Sequence, residues 1–290
     1  MDYLIKSLVN DGRIRVYLAK TTDVCNDAIR IHDLWPSAAS VLGKTMTIAL
    51  IMGAMLKGDE ALTIKIDGNG PIGQIIVDSN AKGEVRGYVS NPHVHFSRKG
   101  KLDDISTLGY NGYIDVIKDL KLKDLYTSTV PLQTGSLAKD FTYYFLHSEQ
   151  TPTLTSLGIK IKENNTSEVS GGIIIQLMPK ATEDDILLIE RKEKQLSSLS
   201  ELLLKHHNLE DIMTELFPNN HRILSTMPIS FKCHCSKNSF ARGIATLGIT
   251  EINNIIEEDG KAEVVCHYCH AIYNFNIQDL EIIKKGLKQK

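Results

Sequence analysis

The chain has 290 residues, 42% of them hydrophobic and 23% charged, which supports a packed core and excludes global disorder. Lys and Arg total 33 against 35 Asp and Glu, a formal charge of −2, so the basic excess of a general nucleic-acid binder is missing. No segment reaches the roughly 20 apolar residues of a membrane span, and Met1-Asp2-Tyr3-Leu4-Ile5-Lys6 lacks the basic-then-apolar layout of a signal peptide, so a cytoplasmic protein is expected.

In chain order, Tyr3 to Val9 and Ile14 to Ala19 read as strands joined by Asn10-Asp11-Gly12, a strong hairpin turn. Thr22 to Leu56 reads as two helices, with Pro36 suited to a first helical turn. Strand patterns follow at Leu62 to Ile66, Gly73 to Asp78 and Glu84 to Val89, and the short turns between them predict an antiparallel meander. Further strands are expected at Gly112 to Lys118, Tyr126 to Val130, Leu154 to Lys162 and Gly172 to Met178, with a helix over Leu137 to His147. The fold class is therefore α+β, with a core domain of antiparallel sheets and helices over residues 1–179.

Composition changes at Pro179. Ala181 to Asn208 contains no Gly or Pro and repeats Ile186, Ile189, Leu196, Leu199 and Leu203 at helical spacing. Thr182-Glu183-Asp184-Asp185 resembles a capping box with Asp in the acidic place. Asn208 caps a second expected helix, stopped by Pro218. Residues 180–230 are read as a helical linker, either an ordinary packed helical pair or a movable connector.

Residues 231–290 form a third unit. Short helices are expected at Ser239 to Leu247 and Glu251 to Glu258, and a small hairpin from Lys261 to Val265 and Ala271 to Asn276. Too few apolar residues are present for a self-sufficient core, which predicts an internal staple.

Several motifs fail on physical grounds. Gly68-Asn69-Gly70-Pro71-Ile72-Gly73 matches a dinucleotide-binding spacing, but a strand pattern follows it where a helix N-terminus is required. Gly43-Lys44-Thr45 resembles the end of a phosphate-binding loop, but it lies inside a helical pattern with Ala38 at the earlier glycine position. His93, His95, His206 and His207 lack further ligands at metal-site spacing. Asp103-Asp104 reads as a charged loop. No nucleophile–base signature of an enzyme is evident.

Five cysteines are present, and four lie in the last 60 residues. Cys233-His234-Cys235 and Cys266-His267-Tyr268-Cys269 are C-x-C and C-x-x-C, separated by 30 residues. Two close thiol pairs can converge on one tetrahedral ion, and four thiolates suit zinc. One zinc per chain held by Cys233, Cys235, Cys266 and Cys269 is expected, with no further cofactor. The module reads as a permanent structural ribbon, a nucleic-acid-binding zinc module or a thiol switch that loses its staple on oxidation. From Phe231 to Lys290 there are 8 basic and 7 acidic residues, which gives no basic stripe and disfavours nucleic acid. Cys25 stands apart near a helix start, where a buried inert thiol is the expectation, although a helix N-terminus can favour a thiolate.

The C-x-C and C-x-x-C pairs resemble those of the redox-regulated chaperone family called heat shock protein 33. The resemblance extends over nearly the whole chain, through Gly53-Ala54-Met55-Leu56-Lys57-Gly58, Gly68 to Gly73, Gly83-Glu84-Val85-Arg86-Gly87-Tyr88-Val89 and Tyr143-Tyr144-Phe145-Leu146-His147-Ser148-Glu149-Gln150. It implies an ATP-independent holdase of the bacterial cytosol and no enzyme, active in the oxidative-stress response. It implies that the reduced, zinc-bound form is inactive. Oxidation would then form the disulfides Cys233–Cys235 and Cys266–Cys269, release zinc and unfold the linker. Unfolded or partly folded client proteins are the implied partners, and a homodimer the implied oxidised state. Cys266 and Cys269 are expected to oxidise first, because a disulfide across one intervening residue closes a very tight ring. A zinc-ribbon nucleic-acid or translation-associated factor is the alternative, and a thiol oxidoreductase using Cys266 and Cys269 a third reading.

Overall fold

The computed structural model describes residues 1–287 and divides into two compact units, residues 1–232 and the chain from Cys233 onward. In the first unit, strands β1 (Tyr3–Val9) and β2 (Ile14–Lys20) pair antiparallel, from Tyr3 opposite Lys20 to Val9 opposite Ile14. The connecting Asn10, Asp11 and Gly12 all take positive φ, the backbone that a tight strand reversal demands and that these residue types tolerate. Helices α1 (Thr22–His32) and α2 (Pro36–Gly53) follow, with Pro36 in the first turn of α2 as expected.

Strands β3 (Ala61–Asn69), β4 (Ile75–Asn80) and β5 (Glu84–Val89) form the predicted meander. A two-residue pair, β6 (Ser97–Arg98) with β7 (Lys101–Leu102), and a short helix α3 (Asp104–Leu108) precede β8 (Gly109–Asp119) and β9 (Tyr126–Pro131). Helix α4 (Leu137–His147) then leads to β10 (Thr153–Ile161) and β11 (Ser167–Leu177). Gly68 and Asn69 end β3, and Gly70 to Gly73 form the turn after it. At Gly109, φ is 77°, and a Cβ would sit 2.2 Å from the Gly68 carbonyl oxygen, so two backbones touch where side chains cannot fit.

Beyond Pro179, the single long helical pattern breaks at Ser197-Ser198 into α5 (Glu183–Leu196) and α6 (Leu199–Lys205). Helix α7 (Leu209–Leu216) starts at Asn208, whose side chain accepts from the Asp211 N–H. Residues 221–228, inside the stretch read as helical, form a strand, β12 (His221–Pro228), and Ser230–Phe231 form β13. The reason is tertiary: β12 finds an open edge on β1, from Val9 opposite His221 to Tyr3 opposite Pro228.

Two sheets result. One runs β10-β11-β2-β1-β12 and is antiparallel throughout. The other runs β13-β5-β4-β3-β8-β9 and is antiparallel except for the β13–β5 pair. Helix α2 is buried along nearly its whole length and packs on strands of both sheets. Alternation on β2 assigns Tyr17 and Ala19 to that central core, and Val16 and Leu18 to a second core beneath α5, α6 and α7. The approach of α6 to β10 depends on Gly158, where a Cβ would lie 2.5 Å from the Ser200 nitrogen.

The three helices are held unequally. Helix α7 buries Leu209, Ile212, Met213 and Leu216. The longer α5 buries only Ile189, Leu196 and Asp185, and leaves Ile186 and Leu187 exposed. A crevice of about 150 Å³, lined by Pro152, Leu154, Ile175, Leu177, Ile186 and Ile189, remains beside it. Its N-terminus is fixed by a polar clasp. The fully buried Asp185 accepts from Arg13 Nε at 2.8 Å, Asn10 Nδ2 at 2.7 Å and the Thr182 N–H at 2.9 Å, completing the expected capping box.

The second unit contains α8 (Lys237–Ala245), α9 (Ile249–Glu258), the antiparallel pair β14 (Lys261–Val265) and β15 (Ile272–Asn276), and a terminal helix α10 (Ile277–Leu287) not read from the sequence. Its buried apolar core is Ile244, Ile252, Phe275 and Leu280.

Candidate metal centre

The Cys233-His234-Cys235 segment precedes α8, whose first turn is capped by Ser236 accepting from the Ser239 N–H. Cys266 to Cys269 occupy the turn between β14 and β15. The Cys266 N–H donates to the Ala271 carbonyl at 3.0 Å, extending the ladder, and the His270 N–H donates to the Cys266 carbonyl at 2.8 Å. His270 closes the reversal at φ 56°. This turn delivers its two cysteines toward the C-x-C segment. The four sulfurs of Cys233, Cys235, Cys266 and Cys269 all lie within 4.8 Å of one another.

Cys233 and Cys266 sulfurs are 3.7 Å apart, and Cys235 and Cys269 sulfurs 3.3 Å apart. A tetrahedral ion with metal–sulfur bonds of about 2.3 Å requires sulfur–sulfur edges of about 3.8 Å, so the donor set fits a thiophilic ion closely. Burial opposes the Cys235 thiolate, but hydrogen bonds from Tyr273, Cys269, Cys233 and Cys266 outweigh it and bring that thiol down to about 7. Burial pushes Cys269 up to about 12. Burial also raises Cys266, against the N–H groups of Cys269 and Tyr268 that favour its charge. Cys235 is thus the sulfur whose surroundings favour the thiolate, while burial opposes it at Cys266 and Cys269.

Among the described residues, these cysteines are the sole group with metal-site spacing. His93 contacts Asp33 at 3.0 Å, and His206 contacts Glu215 at 2.6 Å beside Lys205, so each meets one carboxylate rather than a ligand cluster. Lys44 on α2 forms a partly buried ion pair with Asp104, and Asp103 caps α3, so neither rejected motif gains a ligand role. Cys25 is buried in α1 of the other unit, and burial pushes its thiol up to about 12. The inert expectation therefore fits its surroundings. The residue not singled out from the sequence is Tyr273 on β15. Its hydroxyl lies 3.2 Å from Cys235 Sγ and 3.1 Å from the Cys235 carbonyl oxygen. Its place four residues after Cys269 was the available signal.

Residues 2–276 match the family model described as Hsp33 protein. The chain belongs to the Hsp33 family. It is 48% identical over 283 residues to the 33 kDa chaperonin of Bacillus subtilis, covering 97% of each chain. Its identity to the 33 kDa chaperonin of Staphylococcus aureus is 43% over 289 residues, covering 99% of each. The crystal structure of the Hsp33 homologue from Thermotoga maritima, a 33 kDa chaperonin, superposes with a TM-score of 0.90 at 30% identity, covering 99% of both chains. The expected α+β class agrees with this Hsp33 match. Among the described residues, no helix is long and apolar enough to cross a membrane.

Proposed function

We propose that this protein is a cytoplasmic, ATP-independent holdase without enzymatic turnover, switched on by oxidation of Cys233, Cys235, Cys266 and Cys269. The observation that carries the proposal is the convergence of four sulfurs in a unit with a small core, where among the described residues Ile244, Ile252, Phe275 and Leu280 are the buried members of the apolar cluster. In the reduced state these cysteines hold one zinc ion per chain. Zinc is a redox-inert charge centre that stabilises four thiolates and staples the small fold, and it supplies no electrons itself. The sulfurs remain oxidisable.

Peroxide takes two electrons from each thiolate pair. One S–S bond forms, the peroxide O–O bond breaks, and two protons from solvent complete two waters. The pairs are Cys266–Cys269 and Cys233–Cys235, in that order, because the first closes across a ready-made turn. Each disulfide removes two charged ligands, so the site loses its hold on the ion and the unit loses its staple.

The functional division is a core over residues 1–179, a conditional connector over 180–230 and a switch over 231–290. Support for a conditional connector lies in α5, which buries little apolar surface for its length and relies on the Asp185 clasp. Its release would expose the second core, a large apolar surface suited to unfolding clients rather than nucleic acid. A homodimer is the proposed oxidised form.

Light scattering of a heat-unfolding client tests the proposal. Reduced protein is expected to leave aggregation unchanged, and peroxide-treated protein with heat to suppress it. Equal suppression by both forms would defeat the redox switch. Metal analysis of Cys266→Ser would show weakened zinc retention.

A further inference from the structure

The sequence pattern ends at the four cysteines, but the Tyr273 side chain outside that pattern touches the cluster. We infer that Tyr273 is a positioning residue that donates its hydroxyl proton to the Cys235 sulfur in the metal-loaded, reduced state, and so delays metal release. The inference rests on the zinc reading proposed above.

The geometry offers the hydroxyl two acceptors on one residue. Tyr273 Oη lies 3.2 Å from Cys235 Sγ and 3.1 Å from the Cys235 carbonyl oxygen. A hydroxyl has one proton, so it serves one acceptor fully at a time. When the sulfur is a thiolate, it has no proton to give and carries the charge. A charged acceptor outbids a neutral carbonyl, so the tyrosine proton turns to sulfur. After disulfide formation the sulfur is neutral, and the proton returns to the carbonyl. The tyrosine therefore stabilises selectively the state in which Cys235 is an anionic ligand.

Position is secured by the fold. Tyr273 sits on β15 opposite Val264, four residues from Cys269, and its ring packs on Phe240 of α8 with centroids 5.1 Å apart. The pairing of β15 with β14 places the hydroxyl at the sulfur whether or not the Phe240 contact is intact, and the hydrogen bond draws electron density from that sulfur. A sulfur so engaged is a poorer nucleophile toward electrophiles and is better held in the ligand set. Outer partners of metal ligands commonly change metal affinity by about tenfold to a hundredfold.

The test uses the full chain as Tyr273→Phe, which keeps the packed ring, beside Phe240→Leu, which disturbs the packing and keeps the hydroxyl. Zinc release is followed with a chromogenic chelator during treatment with peroxide, and separately with an alkylating agent. Cobalt-loaded samples report the sulfur-to-metal charge-transfer bands. In Tyr273→Phe, release is expected to be about tenfold faster, the bands to move to lower energy, and Cys235 to gain alkylation rate relative to Cys233 by mass spectrometry. Phe240→Leu should keep the parent band energy and the parent ratio of Cys235 to Cys233 alkylation. Unmoved bands and an unchanged alkylation ratio in Tyr273→Phe would overturn the inference. The same band shift in both variants would also overturn it, since packing would then be the cause. A parent protein that binds neither zinc nor cobalt would instead overturn the metal reading itself.

Discussion

Two buried carboxylates in the first unit have opposite electrostatic fates. Asp185 is held well below the usual carboxylate range: burial opposes its charge, but Arg13, the Thr182 backbone, Asn10 and the Thr182 hydroxyl overcome that opposition. A depressed value means that its contribution is complete above the ordinary carboxylate pKa and is lost as pH falls through the folded-state value. Asp185→Asn leaves Arg13 without its anion. Arg13 is partly exposed, so solvent screens the stranded charge, and we expect a loss of about 1–2 kcal/mol in the local stability of α5 at neutral pH, read as faster amide exchange in residues 183–196, with α2 unchanged. Asp2 is the reverse case. Burial raises its carboxyl to about 6, against the favourable N–H of Val24. Its cost is absent below the ordinary value of 3.8 and grows as pH climbs to about 6. Asp2→Asn retains an acceptor for Val24 and removes that cost. Denaturant titration should find it more stable than the parent at pH 8, by at most about 3 kcal/mol, with the two proteins converging near pH 4. A constant difference across that range would refute the assignment.

At the scale of elements, Gly158 decides how closely α6 approaches β10. The Cβ of Gly158→Val would press on the Ser200 nitrogen and the Leu199 carbonyl carbon, both backbone atoms that cannot rotate away. The expected cost is about 1–3 kcal/mol, concentrated in α6 and visible as a lower temperature for loss of helix signal while the strands persist. Where local chemistry set the structure, the elements could be read in advance. Asn10-Asp11-Gly12 marked the first hairpin, Pro36 the start of α2, and Thr182 to Asp185 the cap of α5. Strand β12 could not be read, because His221 to Pro228 has a weak alternating pattern and pairs with residues over 200 positions away. The break at Ser197-Ser198 was hidden for a related reason: helical spacing continues through it, while Ser156 takes the Leu196 carbonyl in a hydrogen bond from β10. The four cysteines were legible because their identity and spacing carry the chemistry. Tyr273 and the Arg13–Asp185 clasp were not, since each joins partners 38 to 172 residues apart that only the folded chain brings together.

At the scale of the whole molecule, the two units have unequal means of support. The first has two apolar cores, and the second has Ile244, Ile252, Phe275 and Leu280. Removal of metal by a strong chelator under reducing conditions is therefore expected to abolish amide protection in β14, β15 and α8 to α10 while α2 and β1 to β5 keep theirs. Simultaneous loss in both units would contradict this division. The pairing of β12 with β1 bears on the conditional segment in another way. Within that stretch helices α5 to α7 leave β11 at Leu177 and re-enter the sheet at His221, so for as long as β12 stays paired with β1 the helical part is anchored at both ends. Detached from its face, it would be a slack loop rather than a loose tail. Its ends would stay beside their docking surface, so most of the entropy of finding that surface again would already be spent. Rearming would then be a unimolecular event whose speed is independent of protein concentration, and a protein unlatched once could return to rest without losing its place in the fold.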